Sequence, residues 1–140
     1  MMEKRTKLRV FLAYGLFIIV LANMPGQYLP GILTFSPGFN HMMAFLVMGF
    51  LLDRAMRLTY VEVAAILISI GYLIEWMQLL GGYREFSLID LLFDMAGITL
   101  YIVLTHFYKN RIKVQKSILS ASSNPMGDVL KFEPEVPVRY

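Results

Sequence analysis

One long stretch without charge limits what this chain can fold into. Between Arg9 and Asp53 lie 43 consecutive positions with no Lys, Arg, Asp or Glu. The chain has 140 residues, of which 57% are hydrophobic and 16% charged. A water-soluble fold of this size has too little interior to hide such a run. The sequence therefore predicts an all-α, multi-pass membrane protein.

The same composition excludes several other classes of protein. The hydrophobic content excludes intrinsic disorder, and the absence of cysteine excludes a disulfide scaffold or a cysteine-ligated metal centre. The net charge of +3 does not indicate nucleic acid, because the basic residues lie in clusters beside the apolar runs rather than on a separate domain. These clusters are typical of topology signals in membrane proteins.

Four apolar segments are predicted to be transmembrane helices. They run from about Leu8 to Met24, from Asn40 to Leu52, from Val61 to Leu80, and from Leu88 to Tyr108. An uncharged, Pro- and Gly-rich loop over residues 27–39 is expected to lie against the membrane surface. We therefore expect a four-helix transmembrane domain over residues 1–108, followed by a flexible cytoplasmic tail over residues 109–140 that is basic and contains proline.

The basic residues also predict which loops face which side. Ten Lys and Arg residues lie before the first segment, between the second and third, and just after the fourth, whereas only Arg84 lies in the remaining loops. Both termini and the loop over residues 53–60 are therefore predicted to be cytoplasmic. The first segment also has the pattern of a secretory signal with a cleavage site after Ala22. The three later segments favour its retention as a signal-anchor.

Ionisable side chains within the predicted spans need an explanation, because each costs about 2.5–3.5 kcal/mol on insertion scales. Glu75 and Gln78 are three residues apart in the third helix, so they share a face. Asp90 and Asp94 are four residues apart in the fourth helix and also share a face. The predicted topology brings both pairs to the outer third of the membrane.

His41 at the outer entry of the second helix and Arg84 on the outer loop complete this set. The predicted functional cluster is His41, Glu75, Gln78, Arg84, Asp90 and Asp94. Structural roles remain open as alternatives. His41 and Asp90 could be helix-start residues, and Asp94 could be a polar contact between helices. Gly49 and Gly97 are predicted to allow close helix packing.

The residues leave three chemistries open. A mixed-charge pocket could bind an amphiphile without reacting with it. Imidazole and carboxylate groups could perform acid–base catalysis on a lipid-linked substrate, so enzyme activity is undecided. An imidazole with two or three carboxylates could hold a divalent cation, but no His-x3-His or His-Glu-x2-His spacing is present, so neither a metal nor another cofactor is predicted.

The order of these residues carries a family resemblance. It rests on the Pro-rich loop followed by His41 with Phe45 and Gly49, then Glu75-x-x-Gln78, Arg84-x-x-Ser87-x-x-Asp90, and Asp94-x-x-Gly97. Over roughly residues 8–108 the chain resembles the VanZ-like family of small bacterial membrane proteins. It departs from the family pattern at Pro37 and Gly38, where an Asp-Lys pair is usual, and at Asp94, where asparagine is usual.

The resemblance implies a setting in the bacterial cell envelope, in the cytoplasmic membrane. Family members are associated with envelope phenotypes that include low-level resistance to the glycopeptide teicoplanin, without an agreed biochemical mechanism. Residues and resemblance together predict a protein that binds an envelope amphiphile at the outer leaflet: a lipid, a lipid-linked cell-wall precursor or a glycopeptide. The alternatives are an interfacial enzyme and a small proton- or ion-coupled transport component, and a homo-oligomer is compatible with each.

Overall fold

The computed structural model describes residues 3–24, 28, 31, 36–82 and 85–123. These residues form four α-helices and no strand. The helices are α1 (Lys4–Ala22), α2 (Pro37–Met56), α3 (Tyr60–Gly81) and α4 (Leu88–Ser123). The all-α prediction is therefore confirmed. Two of the helices, α3 and α4, are long and apolar enough to cross a membrane.

Three of the helices extend beyond the predicted apolar segments, each for its own local reason. Helix α1 includes its four basic residues, because Lys and Arg have high helix propensity. Helix α2 begins three residues early, at Pro37, whose fixed φ suits the first turn of a helix. Helix α4 continues past the predicted end at Tyr108 to Ser123. Residues 109–123 contain neither Pro nor Gly to stop it.

The other helix ends have clear local causes. Thr59 and Glu62 form a capping box at the start of α3: the Thr59 backbone N–H donates to Glu62 Oε2 at 2.8 Å, and the Glu62 N–H donates to Thr59 Oγ1 at 3.3 Å. Gly82, with a φ of 68°, directly follows α3 and caps its C-terminal end. Arg57, also in the left-handed region, caps the end of α2, and its N–H donates to the Asp53 carbonyl at 2.9 Å.

The chain divides into two compact units, Met1–Leu104 and Thr105–Tyr140. In the first unit all four helices contribute to one apolar core. Its buried members are Phe11, Phe45, Met48, Leu52, Ala55, Val63, Leu67, Ile74, Ile98 and Tyr101. In the second unit the described residues continue α4, and Asn110 and His106 form a side-chain hydrogen bond of 2.9 Å. The boundary predicted at residue 108 stays a prediction.

Two glycines lie where helices approach closely. A Cβ atom on Gly97 of α4 would overlap the backbone carbonyl of Met42 in α2. A Cβ atom on Gly49 of α2 would lie 2.6 Å from the Tyr101 ring of α4. The two helices therefore contact at two levels, and at Gly97 the neighbouring atoms belong to backbone, which cannot move as a side chain can.

We expect Gly97→Ala to destabilise the protein by about 1–3 kcal/mol, because the new methyl group pushes α2 and α4 apart. The matched control is Gly15→Ala in α1, where the added Cβ would meet no described atom within 4 Å apart from its chain neighbours and the backbone of its own helix, and helix propensity favours alanine. Thermal unfolding in detergent measures both. Equal melting temperatures for the two variants would contradict the close contact at Gly97.

Candidate functional site

Four polar side chains of the first unit, three of them buried, come from three helices. His41 lies in the second turn of α2, Glu75 lies near the C-terminal end of α3, and Asp90 and Asp94 lie near the N-terminal end of α4. Glu75 is 0% exposed, Asp94 1% and Asp90 6%. These ends of the three helices meet, so we call His41, Glu75, Asp90 and Asp94 the polar cluster.

A hydrogen bond within the polar cluster joins α2 to α4. His41 Nδ1 lies 2.9 Å from Asp94 Oδ1, and the His41 side chain is only 12% exposed. When the Nδ1–H group donates to this carboxylate, the lone pair of a neutral imidazole is at Nε2. His41 Nε2 lies 4.0 Å from Asp90 Oδ2. Asp94 and Asp90, one turn apart on α4, thus lie next to the two different nitrogens of the His41 ring.

Glu75 is held by the start of α4. Its Oε2 accepts the backbone N–H of Ser87 at 2.8 Å, and Ser87 Oγ accepts the backbone N–H of Asp90 at 3.1 Å. In a complete capping box Asp90 itself would accept the Ser87 N–H. Here Glu75 of α3 accepts the Ser87 N–H instead. The arrangement ties α3 to α4 and leaves the Asp90 carboxylate beside His41.

Gly71 makes room for the second oxygen of Asp94. A Cβ atom on Gly71 would lie 2.7 Å from Asp94 Oδ2. This oxygen is buried and has no hydrogen-bond partner among the residues that the structure describes. Gly71 precedes Glu75 by one turn, so it lies on the face of α3 that carries Glu75.

Gln78 connects a different pair of helices. Its Nε2 donates to the backbone carbonyl of Ala22, at the end of α1, over 2.8 Å. The side chain is 1% exposed. The amide of Gln78 thus fixes the end of α1 against α3, while the four-residue polar cluster joins α2, α3 and α4. Arg84 lies outside the described residues.

The polar cluster combines one imidazole with three carboxylates, so with all three carboxylates ionised its formal charge is negative in either state of His41. Carboxylates taken out of water are costly unless they are neutralised by protons, hydrogen bonds or a cation. This donor set suits three uses: acid–base chemistry at the imidazole, hydrogen bonding to hydroxyl or amine groups, and coordination of a cation. The ligand atoms of His41, Glu75 and Asp90 all lie within 4.8 Å of one another.

Comparisons with protein-family models, with curated proteins and with solved structures find no match to this chain. The resemblance to the VanZ-like family therefore stays a prediction. Two residues of the site, Ser87 and Gly71, are not in the cluster predicted from the sequence. Ser87 was recognisable as a helix cap from the Ser87-x-x-Asp90 spacing, and Gly71 from its position one turn before Glu75.

The hydrogen bond from Ser87 predicts a difference between two substitutions of Glu75. Glu75→Gln keeps an oxygen acceptor for the Ser87 N–H, whereas Glu75→Leu leaves this part-buried donor without its protein partner and should cost about 1 kcal/mol. Thermal unfolding in detergent should therefore give a lower melting temperature for the leucine variant than for the glutamine variant. Glu62→Leu, in the exposed capping box of α3, is the control and should cost less. A leucine variant at Glu75 as stable as the glutamine variant would contradict the capping role.

Proposed function

We propose that the protein is a four-span membrane protein of the bacterial cytoplasmic membrane, similar to the VanZ-like family. In this proposal both termini are cytoplasmic, and the polar cluster binds the headgroup of an envelope amphiphile at the outer leaflet. The observation that carries the proposal is a buried polar cluster with unpaired oxygens. Glu75 Oε1 and Asp94 Oδ2 are buried and lack a hydrogen-bond partner within the described part of the chain.

The distribution of polar and apolar side chains supports a membrane setting. In a soluble protein large apolar side chains are mostly buried and carboxylates are exposed. Here the exposed large apolar side chains far outnumber the buried ones, while Glu75, Asp90 and Asp94 are buried. Contact with lipid accounts for such an apolar exterior, and membrane-embedded acids typically face the interior of the bundle.

The helix lengths support four spans. Among the described helices, α3 and α4 alone are both long enough and apolar enough to cross a membrane, so for α1 and α2 the support is their length. Helices α1 and α2 have 19 and 20 residues, which corresponds to about 30 Å, the thickness of the hydrocarbon core. The hydrogen bond from the buried Gln78 to Ala22 and the burial of Phe11 support retention of α1, because cleavage would remove both.

The position of the polar cluster along the helices supports a headgroup ligand. Glu75 lies six residues before the end of α3, and Asp94 lies six residues after the start of α4, which places each about 9 Å from a helix end. With the Lys and Arg distribution this end faces outward. An amphiphile could thus place its polar group at the cluster and its chains along the apolar exterior.

An interfacial enzyme is the second candidate, and the His41–Asp94 contact favours it. A carboxylate that holds one imidazole nitrogen over 2.9 Å fixes the ring and leaves the other nitrogen able to accept a proton. In this reading His41 Nε2 acts as the base on a lipid-linked substrate. No serine or cysteine nucleophile motif is evident in the sequence, so the binding function is the one proposed first.

Mass spectrometry of lipids that co-purify with the protein tests the proposal. We expect the wild type to retain an envelope amphiphile of unchanged mass and Glu75→Gln to lower its retention roughly tenfold, as expected for one lost charge-assisted hydrogen bond. Glu62→Gln makes the same charge change in the exposed capping box and should retain the amphiphile.

Two results would count against the binding function. Undiminished retention by both Glu75→Gln and Asp90→Asn would remove the polar cluster as the site. Time-dependent conversion of an envelope lipid by the purified protein, abolished by His41→Gln in a variant that unfolds at the wild-type temperature, would favour the enzyme instead.

A further inference from the structure

We propose that His41, Glu75 and Asp90 bind one divalent transition-metal cation of the Zn²⁺ or Mn²⁺ type, and that Asp94 is a positioning residue for His41. The inference deepens the proposed function and rests on it, because the same polar cluster would receive the headgroup. It adds to that function a specific partner for the headgroup: a metal ion held by side chains of three helices.

The spacing of the three side chains is close to what a metal needs. Their ligand atoms all lie within 4.8 Å of one another. In a tetrahedral zinc site, bonds of about 2.0–2.1 Å place the ligand atoms about 3.3 Å apart. The ligand atoms would therefore approach one another on metal binding, by rotation about side-chain bonds at three different helix ends.

The orientation of His41 supports the same conclusion. Histidines that bind metals usually donate their other ring N–H to a carboxylate or carbonyl oxygen, which fixes the tautomer and the direction of the ring. Asp94 Oδ1, 2.9 Å from His41 Nδ1, provides that acceptor. The other nitrogen, Nε2, then carries its lone pair on the side of the ring where Asp90 Oδ2 lies 4.0 Å away.

Glu75 supplies an independent observation. Its side chain is completely buried, and its Oε1 has no hydrogen-bond partner in residues 3–24, 36–82 or 85–123. The other carboxylate oxygen, Oε2, is fixed by the Ser87 N–H. An oriented carboxylate with one oxygen in need of a partner, next to an imidazole and a second carboxylate, is a ready ligand for a cation.

The charge of the carboxylates favours a cation over an anion as the first ligand of the polar cluster. Three carboxylates around one imidazole disfavour a phosphate group that approaches alone, whereas a divalent cation would neutralise most of the cluster. A phosphate or hydroxyl group of an amphiphile could then bind the metal at a coordination position that the three side chains leave open.

The ligand types indicate which cations fit. Imidazole nitrogen suits Zn²⁺ and other transition metals, and carboxylate oxygen suits Zn²⁺ and Mn²⁺. Mg²⁺ prefers oxygen ligands alone and keeps several waters. A site with one nitrogen and two carboxylates should therefore select Zn²⁺ or Mn²⁺ over Mg²⁺.

Metal titration of the full-length protein tests the inference. The protein is purified in detergent, treated with a chelator, and titrated separately with ZnCl₂, MnCl₂ and MgCl₂ in a calorimeter. We expect one Zn²⁺ or Mn²⁺ per chain, weaker binding of Mg²⁺, and a melting temperature that rises with added Zn²⁺ or Mn²⁺. Asp94→Asn should weaken metal binding about 10- to 100-fold through the orientation of His41.

Two variants separate this site from weak surface binding. His41→Gln should abolish the tight binding, whereas His106→Ala, which removes the exposed histidine bonded to Asn110, should not change it. Because His41→Gln could unfold the protein, its unfolding temperature without metal is measured first, and Asp90→Asn serves as the second ligand variant. Wild-type metal affinity in either folded variant would overturn the inference.

The lipid measurement distinguishes failure of the metal site from failure of the proposed function. If the chelator-treated protein retains the amphiphile and binds no metal, the metal inference fails and the proposed function stands. If one metal binds but neither the wild type nor the metal-loaded protein retains an amphiphile, the metal site stands and the headgroup function fails.

Discussion

The hydrogen bond between His41 and Asp94 fixes the imidazole at the centre of the polar cluster. It joins α2 to α4 and fixes the imidazole so that its second nitrogen lies on the side of Asp90. Asp94 is 1% exposed, and its other oxygen lies against Gly71 of α3. A buried carboxylate needs compensation, and in an apolar bundle it must come from neighbouring helices or from a ligand. The cluster is therefore both a contact between helices and a set of groups suited to bind a ligand.

Small residues and helix caps allow this arrangement. Gly71 makes space for Asp94, and Gly97 lets the backbone of α2 approach α4, so that His41 can reach across. Ser87 then connects the cluster to the start of α4: it caps the N–H of Asp90 and gives its own N–H to Glu75. The cap at the start of α4 differs from the capping box that Thr59 and Glu62 form at the start of α3. At α3 the capping box is local and exposed, whereas at α4 its acid comes from another helix and is buried.

The long apolar runs were enough to predict the helical class, and the spacing of the polar residues was enough to place them in pairs on shared helix faces. Glu75-x-x-Gln78 and Asp90-x-x-x-Asp94 each place two groups on one helix face, and turns bring the helix ends together. The sequence could not separate Gln78 from the others, because its partner is the Ala22 backbone carbonyl, which no side-chain pattern reveals. The extension of α4 to Ser123 was missed because the apolar run ends near Tyr108 while helix-forming residues continue. The predictions for Arg84 and for most of the loop over residues 27–39 concern positions outside the described residues.

The central claim is that the polar cluster lies at the outer end of a membrane-spanning bundle. Labelling of single cysteines with an impermeant maleimide tests it most directly, because the chain has no cysteine of its own. Glu85 lies just before α4 at the cluster end, and Arg57 lies at the opposite end, between α2 and α3. The account predicts that Glu85→Cys is labelled in intact cells and that Arg57→Cys is labelled only after lysis. Labelling of both positions from the same side, or of Arg57→Cys alone in intact cells, would contradict it.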